Sequence, residues 1–596
     1  MAAVLCQING ARHRPQLRSS RQSVFSSLSP FQATRLATRR TTSLTTFSID
    51  RRDRDIDRLT SAEFDLLVVG GGITGAGVAL DAATRGLSVG LVEKGDFATG
   101  TSSRSSRLIH GGLRYLRQRE FGLVHEALRE RQHLSEMAPH LVKPLPFLLP
   151  ILVGSPFDDM KTALRAGLWL YDLAGGARGG RFHQRISMGE SLAMSPALSQ
   201  SKVLDGFIYW DAVNDDARTT LSVIRTAANR YDAAVVNYCE VLEVNPPRRH
   251  STDEARVRIA ARDVISDELL ELRARAVMIA SGVWSDKIAV ADNRGQHPER
   301  IRPAKGIHVV VPRDQFPGDA ATLLPVPGDD RFIFTIPWGG YTLIGTTDTD
   351  YDGPLDDPAA DSDEIDYLLD TVNAWTSKPI GRSSVTSSFA GLRPLASAGT
   401  DEKTADMSRR HIVEAVAPRI GAVYGGKFTT WRSMAAEAVD FAGTDLGLGR
   451  LPRSVTADQL IDGAQTSESC TPTSALLEST VGEESAGRIY ARYGSHARAI
   501  AALCEDPALR TPLAPGLDYL RAEAIYAARH EMAVTLDDLL TRRTRSSTDN
   551  WRVARASAAE VAALVAGELG WSHADRDVQV AEYIRATEQF DPKAAE

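Results

Sequence analysis

Phe64-Asp65-Leu66-Leu67-Val68-Val69-Gly70-Gly71-Gly72-Ile73-Thr74-Gly75 is the stretch on which the fold turns. The run from Phe64 to Val69 has the texture of a strand buried on both faces of a parallel sheet. Glycines break it, and an apolar-periodic helix is predicted to run to about Arg85, with Gly86 as its stop. Leu87 to Val92 reads as a second strand, which closes a βαβ unit and leaves Glu93 at its end. Gly70, Gly72 and Gly75 then make a GxGxxG in the strand–helix context that gives this motif meaning. Gly70 permits the tight turn, Gly72 lets the backbone approach a pyrophosphate, and Gly75 lets helix and strand pack closely. The helix N-terminus presents N–H groups and a partial positive charge to that pyrophosphate. Glu93 is placed to accept hydrogen bonds from ribose hydroxyls, and its charge disfavours a 2′-phosphate. The motif does not choose between FAD and NAD.

Outward from this unit, 596 residues are too many for one core, so two or three domains are expected. A net charge of −7 argues against a nucleic-acid binder that relies on overall basicity, so attraction for an anion must come from local cations. Cys6, Cys239, Cys470 and Cys504 are far apart, with no CxxC pair, which argues against a disulfide framework or zinc site and fits a reducing compartment. No apolar run approaches the roughly 18–20 residues of a membrane span. The run Leu145 to Val153 contains Pro146 and Pro150 and reads as a buried strand or loop.

Residues 1–60 stand apart. Seven arginines and many Ser and Thr precede the first acidic residue, Asp50, a composition compatible with a transit peptide or with a disordered tail. Between about 150 and 400, Leu242–Val244, Ala276–Ala280, His308–Val311 and Tyr341–Ile344 read as strands. Beyond about 455 helical spacing dominates, as in Ser485–Tyr493, Ala522–His530 and Ala558–Leu569. The expected division is a tail over 1–60, interleaved cofactor and substrate domains over 61–455, and a helical domain over 456–596.

After Glu93 the chain reads Thr101-Ser-Ser-Arg-Ser-Ser-Arg-Leu-Ile-His110-Gly-Gly-Leu-Arg114-Tyr115-Leu. Further blocks follow in order: Asp215-Asp216-Ala-Arg218, Ala280-Ser281-Gly282-Val-Trp284, Lys305-Gly-Ile-His308, Ile336-Pro-Trp338, Gly345-Thr-Thr-Asp348, Gly391-Leu-Arg393-Pro-Leu and Gly425-Gly426-Lys427-Phe-Thr429-Thr430-Trp-Arg432, with Leu539-Leu-Thr-Arg-Arg543 matching in style. On these blocks the chain resembles the FAD-dependent glycerol-3-phosphate dehydrogenases of the bacterial type over about residues 64–590. It departs from them in Ala280-Ser281-Gly282, where Ala-Thr-Gly is usual, and in its first 60 residues. No EF-hand calcium loop follows, unlike in the animal mitochondrial members. The string Asp348-Thr-Asp350-Tyr-Asp352-Gly353 has Ala359 where a calcium loop needs Glu, so no metal is expected. His530-Glu531 lacks the second histidine of a zinc motif, Val534 standing in its place.

The resemblance implies an α/β FAD-binding Rossmann-like domain with an inserted antiparallel-sheet substrate domain and an all-α C-terminal domain. It implies oxidation of glycerol 3-phosphate to dihydroxyacetone phosphate by hydride transfer to flavin, with a membrane quinone as acceptor. It places FAD contacts at Gly70, Gly72, Gly75, Glu93, Thr101, Ser102, His110, Gly111, Gly112, Gly282, Gly425, Gly426, Lys427 and Thr429. It places substrate contacts at Arg114, Tyr115, Arg393, Arg409 and Lys427, with Arg410 an alternative to Arg409. Arginine suits this task because its planar fork grips phosphate oxygens in pairs. His110, Arg393 and Lys427 are the catalytic candidates. His110 is preferred to His308 as base because it precedes the two glycines expected beside the flavin, and an imidazole titrates near working pH. Lys427 is suited to stabilise a negative charge on the reduced flavin.

Docking on the bilayer without spanning it is implied as well. Pro156 to Tyr171, with Lys161, Arg165, Trp169 and Tyr171, reads either as an interfacial helix or as a buried amphipathic one. That reading puts the chain in the cytoplasm at the inner face of the plasma membrane, or in mitochondria if the first residues are a transit peptide, and leaves room for a homodimer. Competing readings are a peroxide-forming glycerol-3-phosphate oxidase, an FAD-dependent amine or amino-acid oxidase, and a nucleotide-binding interaction module without turnover.

Overall fold

The computed structural model describes residues 47–592 apart from 114–119, 156–157, 159–160, 177–179, 248–255, 292–298, 330, 397–409 and 466. From helix α1 (Ile49–Ser61) the chain makes β1 (Phe64–Val69), α2 (Ile73–Thr84) and β2 (Val89–Val92). It crosses to a second sheet for β3 (Leu108–Ile109), β4 (Lys143–Leu152) and β5 (Val203–Val213), then returns for β6 (Ala234–Val236) and β7 (Leu269–Ile279). A second excursion contributes β8 (Ile301–Pro312), β9 (Ala321–Pro325), β10 (Phe332–Trp338), β11 (Tyr341–Gly345) and β12 (Ser387–Ala396). The chain closes the first sheet with β13 (Ile420–Gly425) and packs α3 (Trp431–Thr444) on it.

The first sheet runs β13-β7-β1-β2-β6, and every pairing along that path is parallel. β1 is flanked on both sides, Leu66 lying opposite Val89 on one neighbour and Ala276 on the other. That position explains why it is an uninterrupted apolar run: Leu66, Leu67 and Val68 are all buried. Truncating Leu66 to Ala would cost about 2–5 kcal/mol. α2 lies against this sheet beneath Trp431 of α3, and the approach is so close that a Cβ on Gly77 would sit 2.6 Å from the indole. The second sheet is antiparallel except where β9 pairs parallel with β4. β12 runs alongside β8 over ten residue pairs, from Ile301 opposite Ala396 to Val310 opposite Ser387. Beyond α3 the described chain is helical, apart from an isolated bridge between Pro512 and Leu520.

The expected strands at 242–244, 276–280, 308–311 and 341–344 lie within longer strands, with only Ala280 just past the end of β7. Leu145–Leu152 belongs to a buried strand. The N-terminal tail is corrected: residues up to 60 are not all tail, because α1 occupies 49–61. Its sequence is polar, yet Arg51, Arg52 and Asp55 are buried. Arg52 donates to Asp263 and Arg51 to Asp55, so these charges are paired inside the protein. Phe47 is buried against Phe97. Residues 1–46 lie outside the described residues.

Candidate active site

In an open parallel sheet, ligands settle beyond the carboxyl ends of the strands. Here those ends are Gly70 after β1, Glu93 after β2, Ala280–Gly282 after β7 and Gly425–Lys427 after β13. All of them line one cavity of about 600 Å³. The second sheet closes it from the other side with His110 after β3, Gly306 and His308 of β8, and Gly391 and Arg393 of β12. The interleaved chain therefore brings Gly70 and Lys427, distant in sequence, into one chamber.

The nucleotide end is tightly built. Gly70 has φ +115°, and a Cβ there would lie 2.6 Å from the Ala280 carbonyl oxygen. Gly75 is under the turn, where a Cβ would stand 1.9 Å from the Gly70 oxygen. The Glu93 carboxylate accepts from the Gly71 and Gly95 N–H groups at 2.7 and 2.9 Å. Burial pushes its pKa up, against the pull of those amides. The Ile73 N–H, in the first turn of α2, is taken by Ser102 Oγ at 2.9 Å. That helix end therefore does not offer every N–H to a ligand, and Ser102 acts as a cap supplied from another segment. Thr101 Oγ donates to the Leu392 carbonyl at 2.5 Å.

The reactive end is built of cations and imidazoles. Arg393 is oriented by Asp348 (3.1 Å), Thr346 Oγ (3.2 Å) and the carbonyls of Thr347 (3.0 Å) and Lys305 (3.3 Å). Gly306 leaves it room, since a Cβ there would be 2.5 Å from its Nη2. Asp348, the first residue of the calcium-like string, is thus committed to the guanidinium. His308 stacks on Phe389, ring centroids 5.0 Å apart, and its Nε2 meets Ser106 Oγ at 2.9 Å. Its Nδ1 is buried and has no hydrogen-bond partner among the described residues. Burial, with Arg393 and Arg107 nearby, drives its pKa down to about 3. His110 lies edge-on to Phe334, and its backbone N–H donates to Thr429 Oγ at 3.4 Å. Lys427 lines the same cavity, its ammonium nitrogen shielded from solvent.

Of the residues expected at the site, Gly70, Gly72, Glu93, Thr101, Ser102, His110, Gly282, Arg393, Gly425, Gly426, Lys427 and Thr429 line the cavity. Gly75 supports it from below. Gly111 and Gly112 are a correction: they are not on its wall. The Gly111 N–H turns away, donating to Tyr171 Oη at 3.0 Å and Asp211 at 3.3 Å. Arg114, Tyr115 and Arg409 lie outside the described residues. The sequence reading missed Arg104, Trp284, Lys287, Asp356 and Asp357 on the wall. Arg104 and Trp284 stood inside quoted motifs and could have been singled out, whereas Asp356 and Asp357 carried no signal.

The chamber fits a dinucleotide: a glycine turn over a helix start, a carboxylate at the end of the next strand, and at the far end a His308 Nδ1 that no described residue engages. The sequence profile of the family described as FAD dependent oxidoreductase matches residues 65–427, and that of the C-terminal domain of alpha-glycerophosphate oxidase matches residues 454–576. Glycerol-3-phosphate dehydrogenase 2 of Mycobacterium tuberculosis is 41% identical over 539 residues, covering 89% of each chain. The mitochondrial glycerol-3-phosphate dehydrogenase of Mus musculus is 35% identical over 528 residues, 86% of this chain and 71% of that one. The glycerol-3-phosphate dehydrogenase of Bacillus halodurans, solved complexed with FAD, superposes with a TM-score of 0.72 at 28% identity, covering 92% of this chain and 99% of that one. The chain belongs to the FAD-dependent glycerol-3-phosphate dehydrogenase family.

Proposed function

We propose that this protein binds FAD and oxidises sn-glycerol 3-phosphate to dihydroxyacetone phosphate. The observation that carries the reading is the convergence of the glycine turn and Glu93 with His110, Arg393 and Lys427 on one cavity. When bound, FAD supplies the acceptor for the hydride leaving C2 of the substrate. Gly70, Gly72 and the start of α2 would hold its pyrophosphate, Glu93 its ribose, and Lys427 its ring end. Arg393 holds the anionic substrate, its planar guanidinium oriented by Asp348 and Thr346. His110 takes the C2 hydroxyl proton. His308 is too weak a base for that role, its pKa being near 3, and instead braces Ser106 and the floor of β12. Arg114, Tyr115 and Arg409 complete the substrate contacts in this reading. The chain divides at about residue 455 into interleaved cofactor and substrate domains and the helical domain.

A membrane quinone is the proposed acceptor, and a surface feature supports it. The helix Lys161–Tyr171 buries Leu168 and Tyr171 but leaves its other face open: Trp169 and Leu170 are each 48% exposed, and Leu173 and Phe182 beside it are 79% and 52% exposed. Such an apolar patch beside Lys161 and Arg165 suits an interface with lipid. Among the described residues no helix is long and apolar enough to cross a membrane. Trp169→Ser/Leu170→Ser is expected to abolish flotation with phosphatidylglycerol-containing vesicles without changing turnover with a water-soluble quinone analogue; retained flotation would contradict this surface. In the same assay, oxygen is expected to replace the quinone analogue poorly. Stoichiometric peroxide release at full rate would favour the oxidase instead.

A further inference from the structure

The loop that would lie along the cofactor has two faces. Its front supplies cavity wall through Gly95, Thr99, Thr101 and Ser102. Its back is gripped by three arginines from the C-terminal helical segment. Asp96, wholly buried, accepts from Arg542 Nε at 2.6 Å and from Arg543 Nη1 and Nη2 at 2.6 and 2.9 Å. Arg545 Nη2 donates to the Ser103 carbonyl at 2.7 Å and to Asp216 at 3.1 Å. Asp216 in turn accepts from Ser105 N and Oγ, at 3.0 and 2.6 Å. Arg543 is itself anchored on the Glu531 carbonyl. These side chains are 2% exposed (Arg543) and 1% exposed (Arg545), so they meet the loop without intervening solvent.

We propose that Arg542, Arg543 and Arg545 are cofactor-positioning residues: reaching over from the helical domain, they fix loop 94–106 in the shape that holds FAD. The inference rests on the FAD reading above and extends it to residues that line no part of the cavity. A bidentate guanidinium–carboxylate pair is directional as well as strong, so it sets where the loop sits and not merely whether it folds. Burial raises the pKa of Asp96, but the two guanidinium groups outweigh it and hold the pKa near 2, so the grip is charged at working pH. Losing one partner would leave a buried carboxylate half-satisfied and let the loop, with Ser102 and Thr101 on it, relax.

The test is FAD affinity of the purified, deflavinated full-length chain. Arg543→Met is expected to weaken FAD binding at least thirtyfold. Arg543→Lys, which keeps the charge but loses the two-pronged grip, should weaken it about three- to tenfold. At saturating FAD both should keep KM for glycerol 3-phosphate within about twofold. Glu523→Gln breaks a largely buried pair with Arg492 (2.6 Å) in the helical domain, away from the loop, and should leave FAD affinity unchanged. Parental affinity in folded Arg543→Met and Arg543→Lys overturns the proposal, as does an equal loss in Glu523→Gln; where the Met variant fails to fold, the Lys variant decides. If the parent chain takes up no FAD, the functional reading falls. The clamp is then judged by hydrogen exchange over residues 95–106, where Arg543→Lys should speed exchange and unchanged protection would overturn it.

Discussion

At the scale of single residues, Arg393 is the sharpest point of the account. It is held by Asp348, Thr346 and two carbonyls and faces the cavity, so its charge is aimed before substrate arrives. Each charged hydrogen bond contributes roughly 1.5–3 kcal/mol. Arg393→Ala, by removing one such contact, should lower kcat/KM for glycerol 3-phosphate by about 10–10²-fold with flavin content retained. Steady-state kinetics together with the visible spectrum checks both halves. His110→Gln should lower kcat by about 10²–10⁴-fold, whereas His308→Gln should lower it far less, as steady-state turnover will show. The buried histidines also make a stability prediction. His308 and His140 have their pKa values driven down to about 3, chiefly by burial, from about 6.5 in the unfolded chain. Above pH 6.5 both states hold them neutral. As pH falls from 6.5 towards 3 the unfolded chain binds protons that the folded chain refuses, so stability declines by about 1.4 kcal/mol per pH unit per histidine. Thermal unfolding at a series of pH values should show this decline, and His140→Gln should remove about half of it.

Single elements explain both what the sequence disclosed and what it withheld. The β1-α2-β2 unit was legible because its signals are local: an apolar run, a glycine turn and a carboxylate within a few turns of chain. Gly75→Ala tests it directly. A methyl group there would lie 1.9 Å from the Gly70 carbonyl oxygen, so the turn must open, and the purified variant is expected to carry no flavin. One partner of β1, β7, was not legible, and nor was β13 beyond it, because both arrive from more than 200 residues downstream. Helix α1 was misread for a related reason. Its arginines look like a solvated or targeting segment, and only their distant partners, Asp263 and the carbonyls of Ala228 and Asn237, make them structural. The melting temperature tests whether α1 is structural. Removing 1–61 should lower it by several degrees, since that cut also strips Asp55 from the Val235 N–H and Phe47 from the core.

Across the whole molecule, a chain of net charge −7 gathers Arg393, Lys427 and Arg104 into one chamber. The anion site is local, so raising ionic strength should weaken substrate binding only modestly, as expected for charges shielded from solvent. The motifs listed most of that chamber in advance because many of its residues follow a strand end, where short motifs mark the turn. Gly111 and Gly112 were misplaced because a motif gives order along the chain but not which way a backbone N–H points. The arginines behind loop 94–106 were unreadable for the same reason as α1, their partners being over 400 residues away. The central claim is that this chamber passes a hydride from glycerol 3-phosphate to bound FAD. Anaerobic mixing of the purified yellow protein with that substrate measures it most directly. Bleaching of the flavin with one dihydroxyacetone phosphate formed per flavin, and none with glycerol, is the predicted result. A spectrum unmoved by glycerol 3-phosphate, or bleached equally by glycerol, would contradict it.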